Sequence, residues 1–206
     1  MSRTTRLLFV SLITIAVLGA GVLGYGVVRV LTGDPSTGAG FGEPLIGGPF
    51  TLVDGEGRSR TDEDFRGRLM LIYFGFTYCP DVCPTELQAM GQAVDKVGAR
   101  AGAKAEAVQP IFISVDPERD TPEMVGQYVQ AFHPRMIGLT GTPEQVAAAA
   151  KAYRVYYRKA TVDGATDYLV DHSSIVYLMD RDGRFLTHFS HGTSPEAMAK
   201  GIERFL

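Results

Sequence analysis

One apolar run that ends in two closely spaced cysteines constrains how this chain can fold. Leu71 to Pro84 reads L-I-Y-F-G-F-T-Y-C-P-D-V-C-P. Its first six residues have the aliphatic and aromatic content of a buried strand, and the proline after Cys83 suits the opening turn of a helix. Cys79 and Cys83 are the only cysteines among 206 residues. Both sulfurs therefore sit where a strand hands over to a helix.

Two cysteines are too few for a disulfide-stapled scaffold, and a chain of this length buries an ordinary core without one. They read as redox or metal residues. They cannot close a four-sulfur zinc site, because no second cysteine pair exists. A net charge of -3 and the lack of any long Lys/Arg block argue against a nucleic-acid binder.

Leu7 to Val28 is an uncharged apolar run, preceded by Arg3 and Arg6 and followed by Arg29. At about 1.5 Å per residue, about 22 such residues span roughly 30 Å, enough for a bilayer core. The apolar region of a cleaved signal peptide is shorter, about 7 to 15 residues. The expected organisation is a transmembrane anchor over 1–31, a Gly/Pro/Ser-rich flexible linker over 32–47 and a folded body over 48–206. The positive charges before the span place the N-terminus in the cytoplasm and the body across the membrane.

Within the body, Phe50 to Val53 and the Asp54-Gly55 turn predict an N-terminal hairpin, and Leu69 to Phe76 a central strand. Leu87, Met90, Val94 and Val97 make one stripe of a helix over about 84–100. A strand at 111–115, a helix at 122–132, a short strand at 136–139 and a helix at 143–153 follow. Asp180 to Gly183 then turns a hairpin between strands at 173–179 and 184–189, and a helix at 195–205 closes the chain. That order predicts an α/β thioredoxin-like fold with an N-terminal hairpin extension, preceded by one transmembrane helix.

Three helices open alike, with Thr121-Pro122-Glu123, Thr142-Pro143-Glu144 and Ser194-Pro195-Glu196. Each places a hydroxyl at the N-cap, proline in the first turn and an acid against the helix dipole. The fourth reads Cys83-Pro84-Thr85-Glu86. It predicts Cys83 in the cap slot, where unpaired N–H groups favour a thiolate.

Three spacers between the cysteines leave room for two sulfurs to flank one ion, or to form a disulfide when oxidised. Two thiolates and an imidazole would suit soft, low-coordinate Cu(I), whereas zinc would want a fourth donor. His172, in Val170-Asp171-His172-Ser173-Ser174, is the candidate third ligand. It is expected in a loop before a hairpin strand, beside the first helix, where thioredoxin-like oxidoreductases carry a cis proline. His133 is expected on a surface loop, and His188 and His191 as solvated or locally bonded residues. Asp116 and Asp171 are candidates for supporting the site or touching a partner, and equally for turn and cap roles.

With these residues assembled, the chain resembles the SCO/SenC family of membrane-anchored copper chaperones. The resemblance rests on Y-F-G-F-T-Y-C-P-D-V-C-P (73–84), I-S-V-D-P-E-R-D-T (113–121), G-L-T-G-T (138–142), A-Y-R-V-Y-Y (152–157) and V-D-H-S-S (170–174). It implies that Cys79, Cys83 and His172 bind copper; the soft donor set favours Cu(I), and binding of Cu(II) is left open. It also implies help in building the dinuclear copper centre of cytochrome c oxidase subunit II, with an upstream copper donor and a thiol reductant as further partners. The implied location is the inner membrane, with the body in the periplasm, or in the intermembrane space of a mitochondrion. The alternative is a thiol–disulfide oxidoreductase that uses Cys79 and Cys83 as a redox pair to reduce the acceptor's cysteines. A thiol peroxidase fits less well, since no basic residue lies inside the motif.

Overall fold

The computed structural model describes residues 46–161 and 167–206. The expected anchor and most of the linker lie outside them. Among the described residues no helix is long and apolar enough to cross a membrane.

The body is built on β3 (Leu69–Gly75) and β4 (Val108–Ser114), two parallel strands with every residue buried. A strand covered on both faces has no polar side to show, which explains why L-M-L-I-Y-F-G does not alternate. The sheet extends through β5 (Ile137–Thr140) and the N-terminal hairpin of β1 (Thr51–Asp54) and β2 (Ser59–Thr61) on one side. On the other it extends through β8 (Ile175–Met179) and β9 (Phe185–Ser190). The strand order is β2-β1-β5-β4-β3-β8-β9. β5 is parallel to β4, while β8 and β9 are antiparallel. This is a mixed α/β sheet of the thioredoxin kind, with the expected hairpin extension.

Four α-helices are described: α1 (Val82–Ala101), α2 (Pro122–Gln130), α3 (Pro143–Ala152) and α4 (Pro195–Glu203). Thr121, Thr142 and Ser194 cap the last three, accepting from the amides of Met124, Gln145 and Ala197. Alternate residues of β3 serve opposite faces. Tyr73 stacks on Phe112, which meets Tyr128 of α2, whereas Phe74 packs on Tyr153 and Tyr177.

A second, two-stranded sheet pairs β6 (Tyr157–Thr161) with β7 (Tyr168–His172). This hairpin falls where no strand was expected. His172 ends β7 rather than lying in a loop, paired across the strands with Tyr157.

The N-terminal hairpin turns on Asp54, which is 3% exposed. Its carboxylate accepts from the amides of Glu56 and Arg58 and from the Nε atoms of Arg58 and Arg60. Burial alone would raise its pKa, but these bonds outweigh burial and hold it at about 2, below its ordinary 3.8. A carboxylate lowered on folding stabilises the protein above its unfolded pKa and loses that contribution as pH falls through the folded one. Asp54→Asn is therefore expected to cost about 2 kcal/mol at pH 7. In denaturant unfolding the gap between variant and parent should close as pH falls from about 4 to about 2.

Candidate metal site

β3 ends at Gly75, and α1 begins at Val82. The intervening turn is closed by Cys79 N–H donating to Phe76 O at 3.3 Å. Asp81 is the N-cap, yet its side chain makes no capping bond. Cys83 stands at the second helical position, a correction to the cap slot suggested by C-P-T-E. The helix starts before its proline, which is tolerated because the first four N–H groups of a helix have no partner within it. Cys79 performs the cap's task instead, accepting from Cys83 N–H at 3.4 Å.

The thiolate position moves with it. Cys79, half-buried, is pulled down to about 3. The hydrogen bond from the Cys83 side chain contributes most; burial opposes it, and the amides of Cys83 and Asp81 add to it. Cys83, wholly buried, is pushed up by its bond to the Cys79 sulfur and by burial. The two sulfurs hold one proton between them near neutral pH, and Cys83 keeps it.

The β6–β7 hairpin brings His172 over this turn. Its Nε2 lies 3.3 Å from Cys83 Sγ, and its Nδ1 lies 3.2 Å from Ser173 O. A carbonyl only accepts, so in the neutral ring Nδ1 carries the proton and Nε2 offers its lone pair toward the sulfurs. Metal-binding histidines show the same arrangement, with the far nitrogen donating to a fixed acceptor. The donor atoms of Cys79, Cys83 and His172 all lie within 4.8 Å of one another. Two sulfurs and one imidazole are a soft donor set.

Residues that the motif did not single out complete the pocket. Tyr73, fully buried in β3, donates from its hydroxyl to Cys83 Sγ at 3.8 Å and lies 3.3 Å from Ser174 Oγ. Its ring and that of Phe76 both meet the His172 ring edge-on at 5.9 Å. The signal for Tyr73 was present in the sequence, as one hydroxyl in a strand otherwise fit only for burial. Gly75 makes room for the sulfur: a Cβ there would stand 2.8 Å from Cys83 Sγ and 3.0 Å from the rings of Phe112 and Tyr73. Gly75→Ala is expected to cost about 1–3 kcal/mol by overpacking, lowering Tm by roughly 5 °C. It should also push Cys83 off His172, which cysteine-trapping rates on the metal-free chain would register.

The other candidates lie elsewhere. His133 is buried, not on the surface. Its Nδ1 accepts from Arg135 N–H at 3.1 Å, its Nε2 lies 3.4 Å from Asp95, and burial lowers its pKa. His188 is exposed and stacks on Phe185. His191 bonds through Nδ1 at 2.7 Å to Glu86, a carboxylate only 1% exposed that also accepts from Gly192 N–H. That bond ties the turn before α4 to α1. Asp171 is exposed and pairs with Arg158, while Asp116 is buried and bonded to Arg119 and Tyr168.

The family model SCO1/SenC matches residues 39–206. The chain belongs to the SCO1/SenC family. It is 48% identical over 162 residues to human "Protein SCO1 homolog, mitochondrial", covering 79% of this chain and 53% of that protein. It thus spans about half the length of that relative. Among solved structures it is similar to Arabidopsis thaliana ScoI with copper bound, with a TM-score of 0.73 and 43% identity over 77% of this chain and 96% of that one. It is also similar to BsSco, a member of the Sco family of cytochrome c oxidase assembly proteins described with a disulfide switch. There the TM-score is 0.59 at 25% identity, covering 77% of this chain and 90% of that one.

Proposed function

We propose that this SCO1/SenC protein is a membrane-anchored copper chaperone that serves the assembly of cytochrome c oxidase. Cys79, Cys83 and His172 bind one copper ion as cargo and pass it to the dinuclear copper centre of subunit II. The convergence of two sulfurs and one imidazole nitrogen within 4.8 Å carries this reading. The donor set favours Cu(I), and the site needs little rearrangement: Cys79 is already a thiolate, and the Nε2 lone pair faces in. Binding releases the single proton held on Cys83. An acceptor cysteine can then replace Cys79, the more exposed sulfur, so that the ion moves through shared ligands and is never free. The apolar segment over 1–31 anchors the chain in the inner membrane, and the body over 48–206 works on its far side.

A second reading is favoured by the uneven protonation of the sulfurs. The Cys79 thiolate can attack an acceptor disulfide, forming a mixed disulfide and expelling one acceptor thiolate. Cys83 then attacks Cys79 Sγ, closing the Cys79–Cys83 disulfide and releasing the second acceptor sulfur, with the Cys83 proton passing to a departing thiolate. Two electrons move to the acceptor, so an external thiol reductant must restore the pair.

Titration of the reduced full-length chain with Cu(I) against a competing chelator separates these readings. The chaperone reading requires one copper per chain, and its transfer to a subunit II copper domain whose cysteines are already reduced. A reduced chain that binds no copper, yet reduces the oxidised domain at an undiminished rate after His172→Ala, would establish the reductase instead.

A further inference from the structure

The hairpin that carries His172 stands outside the seven-stranded sheet. β6 has no buried residue, and β7 has only Val170. The hairpin's apolar anchorage is limited to Val170, the partly buried Tyr157 and Tyr168, and the ring contacts of His172 itself. A polar loop after β4, Asp116 to Asp120, adds a second hold.

Arg119 lies at the centre of that loop, with its side chain 16% exposed. Its Nη1 donates to Tyr168 O at 2.9 Å and its Nε to Asp116 Oδ2 at 2.6 Å. Tyr168 closes the ring by donating its hydroxyl to Asp116 Oδ1 at 2.7 Å. These bonds are charge-assisted, and Asp116 is 1% exposed, so water competes for them poorly. Among the described residues, Arg119 Nη2 has no hydrogen-bond partner. Aromatic faces surround the guanidinium instead, with ring centroids 3.8 Å away for Tyr168, 4.9 Å for Tyr78 and 5.9 Å for Phe76.

Those rings belong to both halves of the site. Tyr168 begins the strand that ends in His172; Tyr78 precedes Cys79; Phe76 meets the His172 ring. The same loop also grips the cysteine turn directly, because Asp120 accepts from Thr77 N–H at 2.9 Å, from the Thr77 hydroxyl and from Ser114 Oγ. We infer that the Asp116–Asp120 loop is the bracket that sets the spacing between the two halves of the metal site, with Arg119 as the positioning residue for His172. Lysine cannot replace it, since one ammonium cannot reach both Asp116 and the Tyr168 carbonyl in a planar fork.

The test has two arms, of which only the second rests on the copper reading. In the reduced, metal-free full-length chain, the imidazole resonances of His172 are displaced by the Phe76 and Tyr73 rings. In Arg119→Lys they should move toward those of an exposed histidine, and less so in Tyr168→Phe, while the methyl signals of Ile111 and Val176 stay in place. Unmoved His172 resonances in both variants would overturn the inference, as would equal displacement of the sheet methyls. In the second arm, Arg119→Lys should lower copper affinity by about tenfold, the range for groups that orient a ligand. His172→Ala should then cost less in that background than in the parent, and full additivity would count against the bracket. A parent chain that binds no copper would defeat the proposed function while the first arm still decides this one.

Discussion

Cys83→Ala is expected to lower Cu(I) affinity by about a thousandfold. Structural metal sites with four ligands have apparent binding free energies of about 10–16 kcal/mol, or roughly 3–4 kcal/mol per ligand, which is two to three orders of magnitude. Cys83 belongs at the upper end, because sulfur is the softer donor and this one is already seated 3.3 Å from His172 Nε2. His172→Ala should cost less, since two sulfurs remain. Cys83 is fully buried and touches the hydroxyl of Tyr73, so alanine leaves a small cavity and one weakened hydrogen bond. Its cost in stability is modest beside its cost in affinity. Competition titration with a Cu(I) chelator reads the first quantity, and thermal unfolding of the metal-free chain reads the second.

The second large effect is on thiol chemistry. With its pKa at about 3, held there first by the Cys83 hydrogen bond, Cys79 stays a thiolate across the working pH range. A free cysteine at pH 5 is thiolate in only about one molecule in three thousand. A low-pKa thiolate is also a weaker nucleophile, by about two and a half orders of magnitude for this difference in pKa. The balance predicts alkylation of Cys79 about tenfold faster than a free cysteine at pH 5, and about two orders slower at pH 9. The rate should be flat between pH 5 and 8, whereas Cys83 should stay unmodified in the folded chain. Iodoacetamide trapping followed by mass spectrometry gives both profiles. A rate that climbs tenfold per pH unit through this range would place the proton on Cys79 and reverse the assignment.

Much of the frame was legible because burial and capping leave strong local marks. The wholly apolar β3, the stripe on α1 and the three hydroxyl-proline-acid helix starts all formed as their residues require. The same rule misplaced Cys83, because the helix begins two residues early, at Val82, and Cys79 supplies the cap acceptor from outside it. The hairpin of β6 and β7 left no such mark. Tyr157–Thr161 is mostly exposed and carries Arg158 and Lys159 on a strand with no apolar face. It is held by Arg119, Asp116 and Tyr168, which lie up to 52 residues apart in the chain. The position of His172 at the end of that strand therefore depends on long-range polar contacts, which sequence periodicity does not encode. His133 was misread for a related reason: its burial is made tolerable by an acceptor role toward Arg135 N–H two residues on.

The central claim is that one ion is shared by Cys79, Cys83 and His172, and X-ray absorption of the Cu(I)-loaded, reduced full-length chain tests it most directly. The expected spectrum is that of three-coordinate copper with two sulfur scatterers and one imidazole nitrogen. The nitrogen contribution should vanish in His172→Ala, and one sulfur in Cys83→Ala. A sulfur-only environment in the parent chain, or an imidazole signal that survives His172→Ala, would contradict the account.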